Sequence, residues 1–153
     1  MEQQIQLNDH NKQEYPPMHT AEHLLNATMV KMFGCSRSRN AHIERRKSKC
    51  DYHLPTCPDQ QQLQAVEDKI NEVINQNLPV ITEFMNQTEA KKLVDLGKLP
   101  MDASETLRIV RIGDYDVCAC IGLHVANTSE VGFFKIISHD FDETRNILRI
   151  RFK

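Results

Sequence analysis

The stretch TLRIVRIGDYDVCACIGLH, residues 106–124, combines a clear strand pattern with an informative motif. Its two halves, TLRIVRI and DYDVCACI, are rich in β-branched and apolar residues, and Gly113 and Asp114 between them are typical of a turn. We therefore predict two consecutive strands joined by this turn. Cys120 and His124 follow at the end of the second strand, so the sheet would carry a thiol and an imidazole near each other.

Two helices are predicted upstream of this strand pair. The first covers about residues 18–33, where apolar side chains recur at helical spacing and Gly34 can end the helix. The second begins at the start signal Asp59, carries apolar residues at i, i+3 and i+4, and ends before Pro79. Each of these segments has an apolar face suited to cover a sheet.

Shorter elements complete the predicted fold. They are a strand pair in AHIERRKSKCDYHL (41–54), a strand in VITEF (80–84), a short helix in TEAKKLVDLG (88–97) with Thr88 as its cap and Gly97 as its end, and strands in VGFFKIIS (131–138) and RNILRIRF (145–152). Helices early in the chain and strands late predict the α+β class, with helices packed on a mostly antiparallel sheet. A polar N-terminal segment, 1–17, is expected to precede one domain that spans residues 18–153.

The composition limits the classes of protein that this chain can belong to. Its 153 residues, 40% of them hydrophobic, fit one globular domain. No run of about eighteen apolar residues is present, so we predict no membrane span. The polar start of the sequence lacks a secretory leader, and five cysteines without an export signal argue against a disulfide framework, so the cytoplasm is the expected compartment. Because the formal net charge is −2, binding of RNA is expected only from local basic patches.

A second motif, HTAEHLL (19–25), carries two imidazoles on one predicted helix. His19 and His23 are four residues apart and therefore project from the same helix face. Cys120 and His124 have the same spacing at the end of a strand. Imidazole and thiolate are preferred ligands of zinc, so the two pairs together form a candidate tetrahedral site. Neither pair is specific alone, and surface or capping histidines are the structural alternative.

The same motif matches a different zinc signature. HTAEH has the H-x-x-E-H pattern of inverted zinc proteases, with Glu22 as general base. That interpretation needs a further carboxylate ligand from a distant helix, and no later segment indicates one. The structural alternative for Glu22 is a solvated helix residue, which we favour over the protease interpretation.

The two metal-binding motifs together resemble those of a known family. HTAEHLL, followed about a hundred residues later by CIGLHVANTSEVGFFKI, is similar to the HxxxH and CxxxH pattern of the alanyl-tRNA synthetase editing domain and of its free-standing AlaX-type relatives. Threonyl-tRNA synthetase shares this domain. The resemblance covers nearly the whole chain, from about His19 to Lys153. It implies a single domain of the threonyl- and alanyl-tRNA synthetase editing type.

The resemblance also implies an activity and a set of site residues. The family hydrolyses the ester of mischarged aminoacyl-tRNA, so the implied role is zinc-dependent trans-editing, with seryl- or glycyl-tRNA for alanine as substrate. Carried over by position, the implied Zn²⁺ ligands are His19, His23, Cys120 and His124. Asp116 matches an aspartate often found in the family, and we expect it to orient a ligand histidine or relay a proton. Its structural alternative is a turn or edge-strand carboxylate.

Two parts of the sequence depart from the family pattern. The family usually has Cys-Gly-Gly-Thr-His, whereas this chain has Ile121 and Leu123 at the second and fourth positions, and DETRNILRIRF replaces a glycine-rich stretch near the C-terminus. If these apolar side chains face the pocket, they narrow it and remove a hydroxyl. Two alternatives therefore stay open. One is a metal-binding and RNA-binding module of the same fold without catalysis, and the other is a small metallohydrolase of an unrelated ester or amide.

The tRNA acceptor end is the expected partner. Such single-stranded ends are bound through stacking, 2′-hydroxyl contacts and phosphate charge. The densest basic run covers residues 37–49, and a second run lies on the last predicted strand. The candidate RNA-binding residues are Arg39, Arg45, Arg46 and Arg149, and the candidate residues of the substrate pocket are Ser36, Ser38, His42 and Leu123. A solvated loop or strand face is the structural alternative for each of them.

Overall fold

The structure, a computed structural model, describes residues 15–93 and 106–153. Most of the predicted N-terminal segment, 1–17, lies outside the described residues. The last four residues of the predicted helix 88–97, with its end at Gly97, lie outside them as well. The division into segment 1–17 and domain 18–153 stays a prediction.

The two long helices have ends that the local sequence explains. Helix α1 (Pro16–Phe33) starts two residues earlier than predicted, because proline fits the first turn of a helix, and it ends at Gly34, whose φ of 71° is left-handed. Helix α2 (Gln60–Asn75) begins after Asp59, as the start signal predicts. The Asp59 side chain accepts a hydrogen bond from the backbone N–H of Gln62 at 2.8 Å and forms a capping box with it.

The short helix α3 (Gln87–Ala90) differs from the prediction at its start. The side chain of Asn86 accepts a hydrogen bond from the backbone N–H of Glu89 at 2.8 Å, so Asn86 is the cap. The prediction of Thr88 as cap is therefore wrong. Asn86 is also the last residue of the preceding strand, so strand and helix adjoin without a loop.

In residues 15–93 and 106–153, seven strands form two antiparallel sheets, with the orders β1–β2–β7–β6 and β3–β4–β5. The strands are β1 (Asn40–His42), β2 (Ser48–His53), β3 (Val80–Asn86), β4 (Thr106–Ile112), β5 (Asp116–Ala119), β6 (Ile136–Asp142) and β7 (Ile147–Phe152). The predicted α+β class with antiparallel strands and packed helices is confirmed, and the strands divide between two sheets. In the described part of the chain, no helix combines the length and the apolar character that crossing a bilayer requires.

The main core lies between the two long helices and one face of the four-stranded sheet. Alternate residues of β2 and β7, among them Tyr52, Ile150 and Phe152, are buried because successive side chains of a strand point to opposite faces. Leu24 of α1 and Ile70 of α2 belong to the same cluster and are fully buried. Burial of each such side chain stabilises the fold by about 1.5–3 kcal/mol.

The segment that follows the CxxxH motif departs from the predicted strand. Residues Thr128–Val131 form a 3₁₀ turn and β6 begins only at Ile136, so the first half of the predicted strand 131–138 is wrong. Asn127 caps this turn, and Gly132 after it has a φ of 81°, which favours glycine. The chain can therefore bend here before it enters the sheet.

A buried threonine fixes this bend against the rest of the core. The Thr128 hydroxyl accepts a hydrogen bond from the Leu78 N–H at 2.8 Å and reaches the carbonyl oxygens of Val73 and Ile74 at 3.1 and 3.2 Å. These bonds attach the end of α2 to the chain just after the motif. The position of the CxxxH loop is thus set by the core rather than by the loop alone.

Candidate metal centre

The side chains of the HxxxH and CxxxH motifs meet at one point. His19 and His23 lie on the first two turns of α1, and Cys120 and His124 lie just beyond the end of β5. One nitrogen or sulfur atom from each of the four side chains lies within 4.8 Å of the corresponding atoms of the others. His23 is buried and the other three are half-buried. Packing of α1 against β5 thus closes a separation of about a hundred residues in sequence.

The Cys120 sulfur has distances to the imidazoles that suit a shared metal ion. It lies 3.5 Å from Nε2 of His19 and 3.6 Å from Nε2 of His124. The ring of His23 packs edge-on against both other rings, at centroid distances of 5.1 and 4.4 Å. In a tetrahedral zinc site with Zn–N of about 2.05 Å and Zn–S of about 2.3 Å, nitrogen and sulfur are about 3.6 Å apart. The separations of His19 and His124 from the sulfur match this geometry, and with His23 in the same 4.8 Å cluster the donor set of three imidazoles and one thiol is suited to Zn²⁺.

The second ring nitrogens of two histidines face groups that fix their tautomers. Nδ1 of His19 lies 3.0 Å from the carbonyl oxygen of Leu123, which can only accept, so Nδ1 donates and the lone pair of the neutral ring is at Nε2, the nitrogen available to a metal. Nδ1 of His23 faces a carboxylate oxygen of Asp116 at 3.5 Å, and this buried nitrogen has no shorter hydrogen bond to any described residue. Acceptors at the second nitrogen orient metal-binding imidazoles and raise their basicity.

Thr20 holds the imidazole of His124, a role that the sequence analysis missed. Its hydroxyl oxygen is fully buried, lies 2.9 Å from Nδ1 of His124 and accepts a hydrogen bond from the Val125 N–H at 3.2 Å. A single residue of α1 therefore holds both the imidazole and the backbone of the CxxxH loop. The available signal was a buried hydroxyl residue inside the HTAEH motif, next to a candidate ligand.

Arg37 is the second residue that the sequence analysis missed. Its guanidinium donates to both carboxylate oxygens of Asp116, at 2.7 and 3.2 Å, and the Asp116 side chain is only 5% exposed. Burial alone would raise the pKa of Asp116, but the interactions with His23 and Arg37 outweigh it and lower that pKa from its ordinary value. Asp116 is therefore a charged group between a cation and a candidate ligand. This position suits the orienting role predicted for it.

The electrostatics of the cluster favour the thiolate. Burial opposes ionisation of Cys120, but hydrogen bonds from His124, His19 and His23 lower the pKa of the thiol to about 3. Burial likewise opposes protonation of His23, yet Asp116 and Cys120 raise its pKa to about 9. Without a metal, the centre therefore holds a thiolate beside an imidazolium. Thiolate is the form of cysteine that binds metal.

The inverted-protease interpretation gains no support from the geometry. The four-residue cluster in the described part of the chain contains no carboxylate ligand. Glu22 is 16% exposed, and its carboxylate lies 3.8 Å from Nε2 of His19, as expected for an i,i+3 pair on one helix. It therefore neighbours one candidate ligand through local helix geometry alone.

The four residues predicted for the substrate pocket occupy different surroundings. Ser38 is buried and bonds to Asn40 and Asn26, and the exposed His42 pairs with Glu44. Ser36 lines a cavity of about 450 Å³ beside β2 and β7. Leu123 has a 59% exposed side chain, whereas its carbonyl oxygen bonds to a candidate ligand. Their roles in a substrate pocket stay predictions.

The predicted RNA-binding arginines lie on two parts of the surface. Arg39 and Arg149 line the 450 Å³ cavity, where Arg149 also pairs with Asp51 at 2.8 and 3.0 Å. Arg45 lies 4.9 Å above the ring of Tyr15. Arg46 is exposed in the turn between β1 and β2. Arg37 also lines the cavity, so the basic surface reaches the residue that holds Asp116.

Comparison with known families agrees with this geometry. Residues 107–150, which contain all but the first residue of β4, the whole of β5 and the CxxxH motif, match the family described as the threonyl and alanyl tRNA synthetase second additional domain. The predicted resemblance to the editing domain of alanyl-tRNA synthetase, including its AlaX type, is confirmed.

Individual relatives extend the similarity to the HxxxH half of the chain. The chain is 31% identical over 135 residues to the alanyl-tRNA editing protein AlaX-L of Pyrococcus horikoshii, across 88% of this chain and 32% of AlaX-L. It is 33% identical over 135 residues to alanine–tRNA ligase of Streptococcus thermophilus, across 86% of this chain and 16% of the ligase. For the ligase of Fervidobacterium nodosum the identity is 31% over 121 residues, across 78% of this chain and 14% of the ligase. The chain thus spans about a third of AlaX-L and a smaller part of each ligase.

Proposed function

We propose that this protein is a zinc-dependent aminoacyl-tRNA deacylase that edits tRNA mischarged for alanine, with seryl- or glycyl-tRNA as substrate. The observation that carries this proposal is the convergence of His19, His23, Cys120 and His124 within 4.8 Å. The similarity to alanyl-tRNA editing protein AlaX-L supports the choice of reaction. Cytoplasmic localisation remains a prediction from the sequence.

The residues around the centre have roles that their contacts support. A zinc ion held at this centre would supply a Lewis acid, and it could lower the pKa of a water toward 7 if one of the four ligands, such as His124, left its position open. Leu123 and Asp116 hold the imidazoles of His19 and His23 in the tautomer that leaves Nε2 free to bind. The lowered pKa of Asp116 keeps its carboxylate ionised, which suits the proposed orienting role at Nδ1 of His23 and works against the alternative role of proton relay.

Hydrolysis of an aminoacyl ester requires only moderate catalysis, because the ester is already activated. Holding the ester beside the attacking water supplies a large part of the rate, since it replaces an encounter by a fixed geometry. The half-buried position of His19, Cys120 and His124 leaves the cluster accessible from one side. We therefore expect the acceptor end of the tRNA to enter from that side.

The expected RNA contacts are local rather than global. The net charge of −2 gives no general attraction to RNA. Arg39 and Arg149 at the 450 Å³ cavity, with Arg45 and Arg46 on the neighbouring turn, are the proposed contacts to phosphate. Ser36, Ser38 and His42 remain candidates for binding the amino acid, as the size and hydroxyl of the substrate must be recognised somewhere.

A second candidate function is a metal-binding RNA module without catalysis. The observation that favours it is the pair of apolar residues that replaces the glycine and the threonine of the family motif. Ile121 takes the position of the glycine and Leu123 that of the threonine, so this loop lacks the family's hydroxyl. Ile121 is 90% exposed and Leu123 is 59% exposed, so the lost hydroxyl, rather than a filled pocket, is the change that favours this candidate. A third candidate, hydrolysis of an unrelated ester or amide, shares the metal centre but needs no RNA.

Deacylation assays distinguish the three candidates. Purified protein is incubated with seryl-, glycyl- and alanyl-tRNA for alanine and with simple aryl esters, in parallel with the His19→Ala and His139→Ala variants. The proposal expects turnover of seryl- or glycyl-tRNA that disappears in His19→Ala and persists in His139→Ala. Binding of metal and RNA without turnover would support the second candidate. Turnover of the simple esters alone would support the third.

A further inference from the structure

The three-stranded sheet aligns an exposed aromatic side chain with the metal centre. In the antiparallel pairing of β3 with β4, Phe84 lies directly opposite Arg108. Arg108 in turn lies opposite Cys120, because the pairing of Ile109 with Ala119 continues through a hydrogen bond from the Cys120 N–H to the Arg108 carbonyl at 3.1 Å. Residues directly opposite each other project from the same face of a sheet. Phe84, Arg108 and Cys120 therefore form one row on one face.

The distance along this row suits a single nucleotide. Neighbouring strands are about 4.8 Å apart, so the backbones of Phe84 and Cys120 are separated by about 10 Å. The Phe84 side chain is 71% exposed on a strand at the sheet edge, whereas the Cys120 side chain belongs to the metal cluster. A large apolar side chain left open to solvent beside a reactive centre is a candidate binding surface.

Arg108 adds a cation with unused donors to the row. Its Nη1 donates to the carbonyl oxygen of Gly122 at 2.6 Å and to that of Cys120 at 3.4 Å. Among the described residues, these are the only hydrogen bonds of the guanidinium, so Nε and Nη2 keep their donors. The side chain is thus held next to the CxxxH loop while part of it can still bind an anion.

We infer that Phe84 and Arg108 bind the terminal nucleotide of the RNA acceptor end, with the base stacked on Phe84 and a phosphate oxygen at Arg108. This inference deepens the proposed function and rests on it, since an acyl ester on the terminal ribose would then point along the row toward the cluster. Exposed aromatic side chains stack with any base, and guanidinium groups bind phosphate, so the pair matches the two halves of a nucleotide. A partner protein bound through apolar contacts alone would offer no anionic group to the adjacent Arg108 guanidinium.

The test uses an uncharged RNA microhelix that ends in CCA and carries 2-aminopurine as its terminal base. Binding is followed by quenching of the 2-aminopurine fluorescence. The inference expects quenching with the wild type, a loss of quenching and about a tenfold higher Kd in Phe84→Ala, and recovery of both in Phe84→Tyr. Two matched controls are available. Ile81→Ala removes a 49% exposed side chain from the other face of β3, and Phe133→Ala removes an equally exposed phenylalanine outside this row.

Three results would overturn the inference. The first is a Kd and a quenching in Phe84→Ala equal to those of the Ile81→Ala control. The second is no binding of the microhelix by the wild type. The third is a change in oligomeric state in Phe84→Ala with unchanged RNA binding, which would assign the exposed surface to self-association.

Deacylation kinetics separate this inference from the proposed function. Turnover of mischarged tRNA by the wild type with the same KM in Phe84→Ala would reject the nucleotide site and keep the deacylase. Microhelix binding that depends on Phe84 without any turnover would keep the nucleotide site and reject the deacylase. In the expected outcome, Phe84→Ala raises KM for mischarged tRNA about tenfold and leaves the zinc content unchanged.

Discussion

Arg37 holds both carboxylate oxygens of Asp116, from 79 residues away in the sequence, at 2.7 and 3.2 Å. Asp116 faces the buried Nδ1 of His23 at 3.5 Å, so the ion pair connects the loop after α1 to a candidate metal ligand. The geometry makes Arg37 a positioning residue, since it touches the carboxylate rather than the metal. Replacement of Arg37 should therefore lower the affinity of the centre for zinc.

The first prediction concerns this ion pair. Arg37→Gln should weaken zinc binding by about 10- to 100-fold, because outer contacts of metal-binding histidines have effects of that size. Arg37→Lys should weaken it less, since lysine keeps the charge but lacks the two-pronged geometry. Competition with a chromophoric chelator measures the affinity. Arg145→Gln, which breaks the exposed pair with Asp142, is the matched control, and an equal loss in that variant would contradict the role of Arg37.

The second prediction concerns the ionisation of Cys120. In the metal-free protein, hydrogen bonds from the histidines lower the pKa of this thiol to about 3, so it is a thiolate throughout pH 5–8. Its alkylation by iodoacetamide should therefore change little with pH in this range, as the thiolate is the reacting form. Burial raises the pKa of Cys35, so its alkylation should increase steadily with pH. Mass spectrometry of the tryptic peptides follows both residues in one sample.

Zinc provides the control for this measurement. Metal bound to the cluster should protect Cys120 and leave the pH profile of Cys35 unchanged. A Cys120 reactivity that rises tenfold per pH unit would show an ordinary thiol. That result would contradict the lowered pKa of the Cys120 thiol and the thiolate that it implies in the metal-free centre.

The third prediction concerns Thr20, whose buried hydroxyl serves His124 and the Val125 N–H together. Thr20→Val keeps the size of the side chain and removes the hydroxyl partner of the buried Val125 N–H and of the half-buried His124 Nδ1. The free energy of unfolding should fall by about 1–3 kcal/mol, and zinc should bind more weakly. Thr20→Ser should restore most of both. Urea denaturation of metal-free and zinc-loaded protein gives the values, and a Thr20→Val variant with unchanged stability would contradict this role.

The fourth prediction tests the helix that covers the larger sheet. Asp59→Ala removes the cap of α2 and should lower the free energy of unfolding by about 1 kcal/mol. Asp59→Asn should keep most of it, since asparagine is an equally good cap. Asp68→Ala, at an exposed position in the middle of the same helix, is the control. An equal effect in both alanine variants would reject the cap as the cause.

The fold could be predicted from the sequence wherever the information is local. Pro58 and Asp59 mark the start of α2, and Gly34 marks the end of α1, because capping depends on a few adjacent residues. The first half of the strand predicted over 131–138 was wrong, because its β-branched and aromatic residues are typical of a strand although the chain turns there. That turn depends on Asn127 and on the left-handed Gly132, which a search for strand patterns does not weigh.

The site was only partly predictable, because the motifs are local in sequence whereas the contacts that support them join distant segments. The motif spacing indicated which four side chains are suited to a metal, and Asp116 followed from the resemblance. The partners of these residues depend on contacts between distant segments, such as Arg37 with Asp116 and Thr20 with His124. No local pattern marks them. The row that contains Phe84 likewise follows from strand register, which the sequence alone does not fix.

The central claim is that one cysteine and three histidines hold a single zinc ion, and X-ray absorption spectroscopy of the zinc-loaded protein tests it most directly. The account predicts one sulfur at about 2.3 Å and nitrogen neighbours at about 2.0–2.1 Å from the metal. The sulfur signal should disappear in Cys120→Ser and persist in Cys118→Ser, its neighbour on the same strand face. A zinc ion without a sulfur neighbour in the wild type, or a sulfur signal that survives Cys120→Ser, would contradict the claim.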